Sequence, residues 1–354
     1  MNNSITKFFG RHCMKKIIIN SSYAPSLINF RGDLIKKFIN DGFSVICTAP
    51  DYNEKVVSQL NELGASFYLL KFQRNSHNPF SDLLYFMALL KLFLKEKPSI
   101  VLSYTIKPLI YGSAAALLSC VKTRVSLITG LGYTFNDDTS FAKKIAKFLY
   151  FIGVRCSTHV LFQNKDDLEK LKENKFVSSR NASLTNGSGV NLDEYSPQPL
   201  NHSLNLKFLM VSRLIKEKGV YDFIEVAEKI KLKYPCVEFH LVGWSDGEVG
   251  AVSKEELDNW ISKDIVVFHG KLHNVKEVMA KSDVFVLPSY YPEGTPRTIL
   301  EALATGRAII TTDSVGCRET VDHEYNGFLI PIKSPSILYQ MVETLILNPS
   351  LVEI

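Results

Sequence analysis

The twelve residues YYPEGTPRTILE, Tyr290 to Glu301, decide how this 354-residue chain is read. The apolar run Val284 to Leu287 before them reads as a buried strand that ends at Pro288. Thr295 is expected to cap a helix and Pro296 to take its first position, where a missing N–H costs nothing and φ is already helical. Glu293 then lies in the loop, and Glu301 lies about two turns into the helix. A helix N-terminus offers unpaired N–H groups and a positive dipole end to an anion, while carboxylates on either side accept hydrogen bonds from hydroxyls. A sugar joined to a nucleotide diphosphate carries both kinds of group.

Outward from this stretch, short β-rich apolar runs alternate with helical patterns along the whole chain. In the first half, strands are expected over 16–20, 43–49, 66–70, 100–102, 124–128 and 159–162. Helices are expected there over 27–41, 53–63, 81–96, 108–120, 142–156 and 165–173. In the second half, strands fall near 208–212, 237–242, 266–269, 284–287, 308–311 and 327–331. This alternation is that of α/β domains with parallel sheets, two Rossmann-like units whose ligands sit at the carboxyl ends of strands. Residues 185–204, TNGSGVNLDEYSPQPLNHSL, combine Gly, Pro, Asn and Ser with few large apolar side chains and read as the linker. The expected domains are therefore 14–184 and 205–354.

A hydrophobic share of 46% with 22% charged residues is an ordinary globular balance and excludes a disordered chain. The six cysteines form no CxxC pair, so neither a zinc site nor a disulfide framework is indicated, and a reducing cytoplasm fits. Met14-Lys15-Lys16 followed by IIIN reads as the opening of the first strand, and the residues before Met14 as an extension upstream of the natural start. Charge is unevenly spread: residues 1–190 carry net +12 and residues 191–354 net −7. No nucleic-acid motif accompanies the basic half, so nucleic acid is not expected as a partner. An anionic membrane surface or a lipid-diphosphate acceptor accounts for the same charge. No run of 18 uncharged apolar residues occurs, which argues against a transmembrane helix. Two helices still pair apolar residues with lysines, LLYFMALLKLFLKEK (83–97) and FAKKIAKFLYFIGVRC (141–156). The first is hydrophobic nearly all round, a pattern of burial, and the second is the better candidate for a bilayer interface.

The 290–301 segment resembles the EGxPxxxxEA signature of the retaining, family 4 glycosyltransferases of the GT-B fold, with both glutamates at the family's spacing. That resemblance implies two Rossmann-like domains facing a central cleft, with Glu293 contacting the donor sugar and Glu301 the ribose hydroxyls. VSRLIKEKG, residues 211–219, is similar to the family's strand-end Arg and Lys, which implies that Arg213 and Lys218 clamp the donor diphosphate. GVNLDEYSP in the linker resembles the family's NGVD-type connection. Gly294, Thr295, Pro296 and Arg297 complete the implied donor-binding loop. Retaining transfer must stabilise charge on the leaving diphosphate, and fixed cations with helix amides supply that without a metal. Asp137-Asp138 reads as a helix-start charge preference rather than a metal ligand pair, so no metal or other cofactor is expected, with a UDP-sugar as donor substrate.

In the first half, NFRGDLI (29–35), YTIKPLIYGSAAA (104–116) and ITGLGYTF (128–135) resemble a bacterial subgroup that adds a hexose or N-acetylhexosamine to polyprenyl-diphosphate-linked sugars in O-antigen, capsule or glycoprotein-glycan synthesis. Arg31 and Lys107 are the implied acceptor-phosphate cations, and Gly130 and Gly132 allow close backbone approach. The expected partners are a nucleotide sugar, a lipid-linked saccharide and the cytoplasmic face of the inner membrane. Two departures are visible. The first loop, NSSYAPSLINFRG, lacks the family's glycine pair, and TGLGY stands where many members carry a His. The chain also stops at Ile354, short of the family's crossing helices, and reads as truncated there. An inactive or regulatory nucleotide-sugar-binding protein, or a UDP-N-acetylglucosamine 2-epimerase-like enzyme of the same architecture, is the alternative.

Overall fold

The computed structural model describes residues 15–73, 78–132, 141–200, 205–245, 247, 250–272 and 274–353. Asp137, Asp138 and the residues before Met14 lie outside them. The chain divides into two compact units, residues 1–129 with 134–185, and residues 130–133 with 186–354.

The first unit runs β1 (Lys16–Asn20), α1 (Pro25–Asn29), α2 (Gly32–Asn40), β2 (Ser44–Ala49), α3 (Glu54–Leu63), β3 (Ser66–Leu69), α4 (Pro79–Glu96) and β4 (Ile100–Tyr104). A π-helical turn (Pro108–Gly112), α5 (Ser113–Leu118), β5 (Thr123–Ile128), α6 (Phe141–Arg155), β6 (His159–Phe162), α7 (Lys165–Glu173) and β7 (Ala182–Leu184) follow. The strands form one sheet in the order β3-β2-β1-β4-β5-β6-β7, every described pairing parallel. Such a sheet is covered on both faces, so its central strands are continuous apolar runs. Ile17, Ile18 and Ile19 of β1 are all buried accordingly. Local chemistry sets helix ends: Asn53 and Asn164 accept from the third N–H of α3 and α7, and Gly64 closes α3 in the left-handed region.

Two expectations for this unit are corrected, and one strand that sequence reading missed is added. The single helix over 27–41 is two, because the backbone leaves helical geometry at Arg31, which is buried with its guanidinium 5.0 Å from the Tyr104 ring. Helix α4 is not buried all round. Tyr85, Leu89, Leu92 and Phe93 meet the core, while Phe80, Leu83, Leu84, Met87 and Leu94 are exposed, since only one stripe of a helix lying on a sheet reaches that sheet. Strand β7 has no apolar run to announce it; it is a three-residue edge held by pairing with β6.

The second unit runs β8 (Lys207–Arg213), α8 (Val220–Lys233), β9 (Glu238–Trp244), α9 (Lys254–Ser262), β10 (Val267–Phe268), α10 (Lys276–Ala280), β11 (Val284–Leu287), α11 (Arg297–Ala304), β12 (Ala308–Thr312), β13 (Gly327–Ile330) and α12 (Pro335–Leu347). Its parallel sheet has the order β10-β9-β8-β11-β12-β13. Val284, Phe285, Val286 and Leu287 are buried as the opening reading required, and Phe208 stacks on Phe239 with ring centroids 5.1 Å apart. The linker residues close this core. Buried Arg307 donates to the carbonyls of Ser282 (2.8 Å), Thr305 and Gln198, and Gln198 N–H donates back to Thr305 O.

Candidate active site

The strand order reverses between β8 and β11, and a doubly wound sheet binds its ligand outside the carboxyl ends of the two strands at that switch point. Arg213 is the last residue of β8. The chain then makes a single 3₁₀ turn, Lys216–Lys218, closed by Gly219 at φ +77°. A Cβ at Gly219 would fall on the carbonyl of Pro288, so only glycine lets this loop press against the end of β11. Tyr290 N–H donates to Glu217 O at 2.9 Å and ties the two loops together.

That tie brings the expected residues into one cluster. Lys218 is 8% exposed and forms an ion pair with Glu293, and Ser289 Oγ donates to the same carboxylate oxygen at 3.4 Å. The Tyr291 ring has the Arg213 guanidinium 5.3 Å and the Lys218 ammonium 5.2 Å from its centroid. Behind the Glu293–Gly294 peptide stands Gly316, at φ +85°, whose missing side chain leaves room for Gly294 O. Two cations and one carboxylate thus converge where two parallel strands end, a donor set suited to an anion bearing hydroxyls.

Helix α11 begins one residue later than the sequence suggests. Pro296, not Thr295, is in the N-cap position, with extended backbone and no side-chain cap, and Ile299 N–H makes the first bond to Pro296 O at 3.2 Å. A proline drives the residue before it out of helical geometry, and Thr295 instead turns its side chain toward the backbone of Gly187, where a Cβ would stand 2.8 Å from Thr295 Cβ. Arg297 points along the helix to Glu301, with Nε 2.9 Å from Oε1. Glu301 is buried, which raises its pKa, while Arg297 and the Tyr195 hydroxyl oppose that shift. Burial and the Glu301 charge push the Tyr195 phenol up to about 12. Tyr195 and Tyr291 are the site residues that sequence reading passed over. Both stood inside stretches quoted for other residues, and no spacing rule marks an aromatic ring as a neighbour of two cations.

Of the residues expected on the acceptor side, Gly130 and Gly132 cluster with the second unit. A Cβ at Gly130 would stand 2.7 Å from the Glu293 backbone, whereas Gly132 has open space around it. Arg31 and Lys107 belong to the first unit. Lys107 Nζ is 2.6 Å from Asp82 Oδ1 and donates to Gln73 O at 2.9 Å, and Arg31 donates to Phe30 O at 2.9 Å. Both lie beside the corresponding switch point of the first sheet, between β1 and β4. There Ser21, Ser26 and Tyr104 share hydrogen bonds, and Thr105, at φ +69°, donates to Ser22 Oγ at 2.9 Å.

The family model for glycosyl transferases group 1 matches residues 205–348, and the glycosyl transferase 4-like model matches residues 27–164. The chain is 29% identical over 349 residues to the N,N'-diacetylbacillosaminyl-diphospho-undecaprenol alpha-1,3-N-acetylgalactosaminyltransferase of Campylobacter jejuni, covering 92% of this chain and 88% of the relative. It is 30% identical over 265 residues to the UDP-Gal:alpha-D-GlcNAc-diphosphoundecaprenol alpha-1,3-galactosyltransferase of Escherichia coli, covering 71% and 67%. Among solved structures, Anabaena HepE, crystallised with UDP, superposes with a TM-score of 0.76 at 19% identity over 96% of this chain and 92% of that one. A Rickettsia africae glycosyltransferase gives 0.72 at 21% identity, covering 97% and 91%. At that identity these structures establish the fold alone. Both curated relatives are named as transferases, which favours transfer over 2-epimerisation or simple binding. The chain belongs to the group 1 and 4-like glycosyl transferase family and is a glycosyltransferase of the GT-B fold.

Proposed function

We propose that the chain is a retaining enzyme that transfers a hexose or N-acetylhexosamine from a UDP-sugar to a polyprenyl-diphosphate-linked saccharide in bacterial surface-glycan synthesis. The observation that carries this reading is the convergence of Arg213, Lys218 and Glu293 at the carboxyl ends of β8 and β11. Arg213 and Lys218 neutralise the leaving diphosphate, helped by the amides of Gly294 to Arg297, and Glu293 holds the donor sugar. Glu301, steadied by Arg297, accepts from the ribose hydroxyls. The two cations stand in for a metal in this scheme. The acceptor class is supported by the two curated relatives, both named for diphospho-undecaprenol acceptors and alpha-1,3 products. Those relatives differ in the sugar moved, so the donor is found by assay. UDP release is measured from a panel of UDP-hexoses with a polyprenyl-diphosphate-linked GlcNAc or GalNAc acceptor, with donor binding followed in parallel. Acceptor-dependent release with one donor is expected; binding without release, or neither, overturns the reading.

We infer that the protein works on its lipid-linked acceptor as a peripheral partner of the bilayer, at the cytoplasmic face of the inner membrane. No helix among the described residues is long and apolar enough to cross a membrane. The support is the exposed stripe of α4, Phe80, Leu83, Leu84 and Met87, with exposed Lys91 and Lys95 on the same helix. Ile145 and Phe148 of α6 are also exposed, beside exposed Lys144. Apolar side chains enter the interface while lysines meet anionic head groups. Co-sedimentation with phosphatidylglycerol vesicles should be lost in Leu84→Glu with Met87→Glu, and retention by that variant sinks the placement.

A further inference from the structure

We infer that Tyr291 is the positioning residue of the diphosphate clamp, one aromatic ring that gathers the two clamp cations without neutralising either. The inference rests on the donor-site reading above and adds a residue to it. The Arg213 guanidinium and the Lys218 ammonium stand 5.3 Å and 5.2 Å from the same Tyr291 centroid. Two like charges so close to one point repel each other, and each carries a long side chain with several rotamers to lose. Glu293 already pairs with Lys218, and a further carboxylate between the two cations would cancel more of the charge the leaving group needs. The face of an aromatic ring attracts a cation through its quadrupole and adds no negative charge of its own to the site.

The backbone fixes where the ring can be. Tyr291 N–H donates to Ser289 Oγ at 3.3 Å, and the preceding N–H, of Tyr290, is bonded to Glu217 O, one residue before Lys218. The ring is therefore carried by a segment already tied to the turn that carries Lys218. Lys218 is also paired with Glu293, and the Tyr291 ring lies beside both cations. Its removal should thus loosen the pair as a pair, and the effect should be felt by the diphosphate rather than by the nucleoside.

The test compares Tyr291→Phe, which keeps the ring, with Tyr291→Leu, which keeps the bulk and loses the quadrupole. Binding of UDP and of uridine is measured by calorimetry on the full-length protein, with acceptor-dependent turnover in parallel. Leu should weaken UDP binding about 3- to 30-fold and leave uridine affinity unchanged, while Phe should retain UDP affinity within about twofold. If Leu lowers Tm, Tyr291→Met supplies the same comparison. Unchanged UDP affinity in the ring-less variants overturns the inference. So does an equal loss in Phe, which would move the role to the hydroxyl, or a parallel loss of uridine affinity, which would mark a general packing defect. Failure of the unaltered protein to bind UDP overturns the donor-site reading as well, and so separates the two.

Discussion

The two sheets present the same crevice with different chemistry. In each, the strand order reverses beside the first strand of the unit, between β1 and β4 in one and between β8 and β11 in the other. At the second crevice stand Arg213, Lys218 and Glu293, a charged set around an aromatic ring. At the first stand Ser21, Ser22, Ser26, Tyr104 and Thr105, hydroxyls bonded to one another, with Arg31 against the Tyr104 ring and Lys107 paired to Asp82. Topology decides where a ligand goes, and residue type decides what it can be. A crevice that must stabilise developing charge holds its ions in place beforehand.

The sharpest way to break this contrast is to take charge from one crevice and hydroxyls from the other. Arg213→Ala or Lys218→Ala should cut acceptor-dependent UDP release about 10²- to 10³-fold without a comparable loss of fold, checked by turnover and thermal melting. Ser22→Ala should cost less than about tenfold in turnover and leave UDP affinity unchanged. If the hydroxyl variant proves as damaging as the charge variants, the assignment of electrostatic work to the second unit fails.

Next in size is Glu301→Ala, expected to weaken UDP binding about 10- to 100-fold by removing a charged acceptor for the ribose, and read by calorimetry against 2′-deoxy-UDP. The unaltered protein should prefer UDP, and the variant should lose that preference. A preference that survives places the ribose elsewhere.

A smaller effect is expected at Thr105. A β-branched residue at φ +69° is strained, and Thr105→Gly should raise stability by about 1 kcal/mol in a denaturant titration while lowering turnover. A gain in stability with unchanged turnover would mean that the first crevice does not use this loop.

The smallest is a pH effect in the second unit. His240 Nδ1 and His269 Nε2 are 2.9 Å apart, and burial holds both imidazoles below their ordinary value; Glu238, 3.0 Å from His240 Nε2, opposes this, and Lys207 adds to it. Below about pH 6.5 the unfolded chain takes up protons that the folded one refuses. Stability is therefore full above that pH and is lost as pH falls toward the depressed folded values. The fall in Tm between pH 7 and 5 should shrink in His240→Gln, and an unchanged fall would show that these rings do not govern it.

Much of this was legible in the chain. The strands 16–20, 159–162 and 284–287 are placed by apolar runs bounded by turn residues, because a strand buried on both faces has no other composition open to it. The resemblance of EGTPRTILE to the family signature singled out Glu293 and Glu301, and that of VSRLIKEKG singled out Arg213 and Lys218, because both motifs are short and continuous in sequence. What the sequence left blank depended on packing. Helix α4 looks apolar all round in one dimension, and only the sheet beneath it separates Tyr85 and Leu89 from the exposed Leu84 and Met87. Thr295 looks like a cap, yet Pro296 and the nearby Gly187 set the helix start.

By itself, then, the sequence determined that two parallel α/β units form and which residues terminate the strands that matter, since periodicity and loop spacing are local properties of a chain. Only the tertiary structure decided that residues 213, 218, 291 and 293 share one place. Their meeting depends on β8 and β11 lying side by side although far apart in sequence, and on Gly219 and Gly316 giving up side chains so that separate loops can touch.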